Sequence, residues 1–275
     1  MIEYESLRVV NARYRADLDA AFARVMDAGW YILGNEVAAF ETEFARAIGT
    51  KYCVGVANGL DALTLSFRAL DLPAGSEVIV ASNTYIATIL AILEARLKPV
   101  LVEPDIRTYN IDPERITDAI TDRTSAICVT HLYGKPCRMN EIGTIAAESG
   151  LRIVEDCARA HGASISDRVV GTLGDAGCFS FHPTKNLGAL GDAGAVTTDD
   201  EGFANRVRLL RNYGSREKYH NELRGVNSRL DEMQAAFLRA KLPHLSEVAE
   251  HKSRLAAIYR ANLPRSIIKP VCVPD

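Results

Sequence analysis

One lysine stands in a turn made largely of small residues, Gly177-Cys178-Phe179-Ser180-Phe181-His182-Pro183-Thr184-Lys185-Asn186-Leu187-Gly188-Ala189-Leu190-Gly191-Asp192-Ala193-Gly194. Solubility alone does not call for Lys185 there. An amine that must reach a carbonyl does. Desolvation or a nearby cation frees such an amine of its proton, and the neutral amine can form a Schiff base.

Further groups follow earlier apolar runs. Asn58-Gly59-Leu60-Asp61 lies between an apolar run and a helical pattern, where Gly59 allows close backbone approach and the helix start offers N–H groups to a phosphate. An ordinary strand-to-helix turn would look the same. Tyr85, after Ser82-Asn83-Thr84, could lie flat on a planar ring or be a core aromatic behind a capping cluster. His131 could face a site, though a histidine satisfied at a strand end is the commoner case. Asp156 follows a buried run, where a carboxylate is costly unless paired. A protonated pyridine nitrogen would pair it, and so would a helix cap. Ser180 and Asn186 flank Lys185 as phosphate or orienting groups. A small-residue phosphate turn, a strand-end Asp and a later turn lysine, in that order, read as a pyridoxal phosphate site with Lys185 as the Schiff-base lysine.

The elements that would position these groups are visible as periodicity. Apolar runs of strand length occur at 53–57, 77–81, 99–102, 126–130, 151–154, 177–181 and 195–198. Helical patterns at 61–70, 85–95, 113–119 and 138–149 separate most of them. This predicts an α/β fold, a mostly parallel seven-stranded sheet flanked by helices, with ligands at the carboxyl ends of the strands. The last two strands have no helix between them, so at least one runs antiparallel. Helices are also expected at 11–28, from Asn35 (as cap) to Gly49, after Asp199-Asp200, and at 230–242 and 245–263. Residues 267–275 start like a strand with nothing to pair with.

The 275 residues carry a net charge of −3 and are 48% hydrophobic, which argues against a general nucleic-acid binder. Arg206, Arg208, Arg211 and Arg216 are expected to form a solvated face. There is no signal pattern and no run of membrane-span length, so a cytoplasmic protein is expected. Six cysteines without a CxxC pair read as buried free thiols, and no metal site is expected. A dinucleotide-dependent oxidoreductase would need a GxGxxG fingerprint, which is absent.

The chain resembles the DegT/DnrJ/EryC1/StrS sugar aminotransferases, on the type I aminotransferase fold. The resemblance is carried by "GNEVAAFETEFA", "VANGLDALTLSFRAL", "VEDCARAHGA", "SFHPTKNLGALGDAGA", "LRNYGS" and "GVNSRLDEMQAA". It is greatest to members that aminate C3 of a dTDP-3-keto-6-deoxyhexose. It implies that Lys185 is the Schiff-base lysine and proton carrier, that Asp156 pairs with the pyridine nitrogen, and that Tyr85 stacks on the ring. Gly59, Leu60 and Ser180 would hold the phosphate. Asn212 would reach the phosphate of the partner subunit's cofactor in a homodimer with shared sites, and Asn227 and Arg229 would lie near the substrate or the amino-donor carboxylate. Glutamate would be the donor and a nucleotide-linked ketosugar the acceptor.

The pattern is departed from in three places. Leu60 stands where Thr is frequent, leaving only its backbone N–H for the phosphate. Arg159 stands where Gln usually contacts the ring hydroxyl, and a guanidinium is larger and permanently charged. Third, the resemblance implies a further C-terminal portion on the order of 100 residues. The expected organisation is therefore an N-terminal helical segment (1–34), a cofactor-binding large domain (35–244) and an incomplete small domain (245–275), with helices 230–242 and 245–263 exposed on one face. The competing expectation is a shortened, non-catalytic member that binds the cofactor weakly or not at all.

Overall fold

A computed structural model describes residues 5–217, 219–264 and 266–271. The chain opens with α1 (Leu7–Ala12), α2 (Arg15–Ala28) and α3 (Asn35–Ile48). It then alternates through β1 (Tyr52–Val56), α4 (Gly59–Ala69), β2 (Glu77–Ala81), α5 (Ile86–Glu94), β3 (Lys98–Val102), α6 (Pro113–Ala119), β4 (Thr124–Thr130), α7 (Met139–Ser149) and β5 (Arg152–Asp156). A two-residue hairpin, β6 (Ser164–Ile165) and β7 (Arg168–Val169), precedes β8 (Ala176–Ser180) and β9 (Gly194–Thr198). After α8 (Glu201–Leu210) come a second small hairpin, β10 (Ser215–Glu217) with β11 (His220–Asn221), and then α9 (Glu232–Lys241) and α10 (Leu245–Asn262). Sequence periodicity did not show either hairpin, because runs of two or three residues carry no readable alternation.

The main sheet has seven strands in the order β1-β9-β8-β5-β4-β2-β3. Pairings β2–β3, β2–β4, β4–β5 and β5–β8 are parallel, and β9 alone runs against its neighbours β8 and β1. Side chains alternate between the two faces with period 2. Val54, Val80, Cys128, Val154 and Val196 pack under α4, α5 and α8. Phe179, Phe181 and Ala195 pack under α3 and α9, and Ile79, Ile127 and Ile153 under α6 and α7. Because both faces are covered, the strands read as apolar runs rather than as alternation. The five described thiols, Cys53, Cys128, Cys137, Cys157 and Cys178, are free and buried, and Cys272 lies outside the described residues.

Several expectations are corrected. The helix expected at 11–28 breaks at Arg13-Tyr14 into α1 and α2. Asn35 does not cap α3. Gly34 is the N-cap, and the buried Glu232 carboxylate accepts the N–H groups of Gly34, Glu36 and Val37 at 2.7, 2.8 and 2.9 Å. A carboxylate is well matched there to the helix's positive end. Arg211 is not on a solvated face: it is 7% exposed and bridges Glu41 and the Gly55 carbonyl. The helix expected at 230–242 is not exposed, since Ala235, Ala236, Phe237 and Leu238 are buried between α2 and α3. In α10, by contrast, Leu245 alone is buried among the described residues. The final segment forms no strand up to Val271, whose N–H donates to the Arg107 carbonyl.

Candidate active site

The candidate residues Gly59, Asp156, Ser180 and Lys185 lie at the carboxyl ends of β1, β5 and β8 and in the turns after them. Asp156 ends β5, 6% exposed, at the centre of the sheet. Its Oδ1 accepts the Ala158 N–H at 3.1 Å, and its Oδ2 accepts the Thr88 hydroxyl at 2.8 Å. Gly59 is the first residue of α4, whose N-cap Asn58 accepts the Asp61 N–H at 2.8 Å. The N–H groups of Gly59 and Leu60 precede the helix's own bonding pattern and point outward from its start. A Cβ added at Gly59 would lie 2.5 Å from Ser180 Cβ, so turn and serine touch only because Gly59 has no side chain. The Leu60 side chain packs into the core, leaving its backbone for a ligand.

Lys185 sits in a turn closed by its N–H donating to the His182 carbonyl at 2.8 Å. Burial lowers its amine to about 8, the Arg159 charge adds to that, and Asp156 opposes it. Lysine, aspartate and arginine are thus electrostatically coupled, with Arg159 favouring the neutral amine. Replacing Arg159 with glutamine is expected to raise the pH midpoint of Lys185 acylation in the unloaded protein above about 8. Asp156→Asn should lower it. Mass spectrometry of the Lys185 peptide after acetic anhydride labelling reads both.

Tyr85 caps α5 and is 74% exposed, presenting its ring to solvent. Asn212 pairs with Asn227 in an isolated bridge, and Arg229 donates to Asn212 Oδ1 at 3.1 Å. Between them the buried Ser228 Oγ accepts the Ala57 N–H at 3.2 Å, which ties this loop to the turn between β1 and α4. A cavity of about 300 Å³ adjoins Lys185, with Arg13, Tyr14, Asn186, Lys241 and Lys252 among its lining.

His131 does not face the site. Its ring is buried, Nδ1 accepts the Cys137 N–H at 3.1 Å, and Nε2 lies 2.9 Å from Glu155 Oε2. Glu155 also accepts the N–H groups of Gly171, Leu173 and Gly174. His161, unremarked in the sequence, packs between Phe179 and Phe181. Burial and the nearby Lys185 charge push its ring down to about 3. Thr84, Thr88, Thr130 and Ser228 were also missed. The spacing Thr84-x3-Thr88, one face of a helix start, was the available signal.

A lysine that feels the Asp156 and Arg159 charges, a strand-end carboxylate and a helix start beside a serine are groups that a pyridoxal phosphate site would need. The donor set fits that cofactor: an amine for its aldehyde, a carboxylate for its ring nitrogen and N–H groups for its phosphate. Residues 13–271 match the DegT/DnrJ/EryC1/StrS aminotransferase family, and the chain belongs to it. It is 54% identical over 275 residues to a dTDP-3-amino-3,6-dideoxy-alpha-D-galactopyranose transaminase of Aneurinibacillus thermoaerophilus, covering all of this chain and 76% of the relative. It is 48% identical to a dTDP-3-amino-3,4,6-trideoxy-alpha-D-glucose transaminase of Streptomyces venezuelae, covering all of this chain and 73% of that one. The solved structure of S. venezuelae DesV in complex with a ketimine intermediate superposes with a TM-score of 0.96 at 47% identity, covering all of this chain and 74% of that one.

Proposed function

We propose that this chain uses pyridoxal phosphate to move an amino group from glutamate to C3 of a dTDP-linked 3-keto-6-deoxyhexose, in deoxyamino sugar biosynthesis. The observation that carries it is the Lys185 amine, lowered to about 8 within reach of the Asp156 and Arg159 charges, in a chain 54% identical to a dTDP-sugar transaminase. The 3-amino products named for both relatives support C3 as the acceptor carbon.

When bound, the cofactor supplies an aldehyde that takes up the amino group and a ring that spreads the charge left by proton removal. Lys185 Nζ would be the acid–base group that moves a proton in the transfer, a task suited to an amine lowered to about 8. Asp156 would pair with the ring nitrogen, and Tyr85 would stack on the ring. Gly59, Leu60 and Ser180 would hold the phosphate, and Arg159 would donate to the ring oxygen. Asn227 and Arg229 bind the substrate or donor carboxylate. In this reading residues 35–244 form the cofactor-binding domain, flanked by 1–34 and by 245–275.

The working unit is a homodimer in which Asn212 reaches the partner's cofactor phosphate. Ile86, Leu90 and Leu93 support it: they form an exposed apolar stripe on α5, at the spacing of one helix face. Leu93→Glu is expected to shift the mass from dimer to monomer by light scattering. An unchanged dimer would remove this stripe from the interface. Five buried free thiols support a reducing, cytoplasmic setting, and no described helix is long and apolar enough to cross a membrane.

The test uses ¹⁵N-glutamate, pyridoxal phosphate and a dTDP-3-keto-6-deoxyhexose. Appearance of ¹⁵N in the sugar nucleotide, with 2-oxoglutarate released, is expected. A cofactor-loaded protein that labels no dTDP-ketosugar would refute the acceptor.

A further inference from the structure

Thr88 is fully buried in the first turn of α5. Its Oγ1 lies 2.8 Å from Asp156 Oδ2 and 2.8 Å from Thr84 Oγ1, and Thr84 Oγ1 lies 2.9 Å from Thr130 Oγ1. Each hydroxyl has one proton to give, and an ionised carboxylate can only accept. The Thr88 proton therefore goes to Asp156. In the second contact Thr84 must then donate to Thr88. With that proton committed, Thr130 must donate to Thr84. The three hydroxyls have a single consistent direction, Thr130 to Thr84 to Thr88 to Asp156.

The chain links three parts of the fold. Thr130 ends β4 directly opposite Asp156 in the β4–β5 register. Thr84 lies in the turn after β2, and Thr88 on the helix that Tyr85 caps. The Ala158 N–H fixes the other carboxylate oxygen, so neither oxygen of Asp156 can swing without breaking a bond. Aligned hydroxyls polarise one another, and each link strengthens the next.

We propose that Thr88, backed by Thr84 and Thr130, is a positioning residue that aims the Asp156 carboxylate at the cofactor's ring nitrogen. The proposal rests on the reading of Asp156 given above. It also joins the ring platform to the carboxylate, since Tyr85 and Thr88 share one helical turn and the Thr88 N–H donates to the Tyr85 carbonyl at 3.0 Å.

The experiment compares binding of pyridoxal phosphate with that of 1-deazapyridoxal phosphate, which has carbon in place of the ring nitrogen, by fluorescence titration. The wild type should prefer pyridoxal phosphate, and Asp156→Ala should abolish the preference. Thr88→Val, similar in shape but without the hydroxyl, should lose about tenfold in pyridoxal phosphate affinity, the size of one hydrogen bond to a charged group, with the deaza analogue unaffected. Thr88→Ser should restore the preference. Thr84→Val, which leaves the Asp156 contact in place, should show a smaller loss and serves also if Thr88→Val does not fold. A Thr88→Val or Thr84→Val protein with the full wild-type preference would overturn the proposal. So would equal weakening of both ligands. No preference in the wild type would instead overturn the Asp156 reading, and this proposal with it.

Discussion

Replacing Lys185 with alanine is expected to slow amino transfer by about 10²–10⁴-fold, the range supplied by a positioned acid–base group, without lowering the thermal midpoint. The side chain is partly buried and its amine sits below its ordinary value. Its protonated form is therefore disfavoured by the fold, and removing it relieves a cost rather than a contact. The turn stays closed through backbone bonds that alanine keeps, from the Lys185 N–H to His182 and from the Ala189 N–H to Phe181. Activity and stability should thus separate. Turnover of dTDP-ketosugar measures the first, and thermal unfolding by circular dichroism the second. A variant that keeps wild-type turnover would remove Lys185 from the chemistry.

The second large effect concerns stability. Glu155 is fully buried and accepts four hydrogen bonds, from the ring of His131 and from the N–H groups of Gly171, Leu173 and Gly174. Burial alone would raise its carboxyl. The bonds from His131 and from the backbone of Gly171 and Gly174 outweigh it and hold the group below its usual value. Glu155→Ala leaves those donors unpaired in the interior and is expected to destabilise the protein by about 3–5 kcal/mol, the usual loss when one partner of a buried pair is removed. Urea unfolding checks this, and a change below about 1 kcal/mol would contradict it. Because the folded carboxyl is the stronger acid, its contribution is complete above the unfolded-state value and is lost as pH falls through the folded one. Acid unfolding of the wild type should therefore include a component that Glu155→Ala lacks.

The same residue shows where sequence reading stops. Asp156 was legible because it follows an apolar run closely, whereas Glu155, between that run and Asp156, reads only as the point where the run stops. Its partners lie 16 to 24 residues away, and no local pattern announces them. The α3 cap is similar: Asn35 has the right chemistry at the right place, but Glu232, some 200 residues later in the chain, supplies the oxygens. Sheet composition and the one antiparallel strand followed from the apolar runs and from the missing helix between β8 and β9. Strand order did not, because it depends on crossovers that hydrophobic spacing leaves undefined. Within the site, Lys185, Asp156 and Gly59 stood out because each is costly or unusual in its local context. The threonines that support Asp156 did not, since a threonine suits a strand end or a helix start without any further reason.

If Lys185 holds pyridoxal phosphate, borohydride reduction of the cofactor-loaded protein followed by peptide mapping will find a phosphopyridoxyl group on the peptide containing Lys185, lost in Lys185→Ala. A group fixed to Lys241 or Lys252, or to no lysine at all, would contradict it.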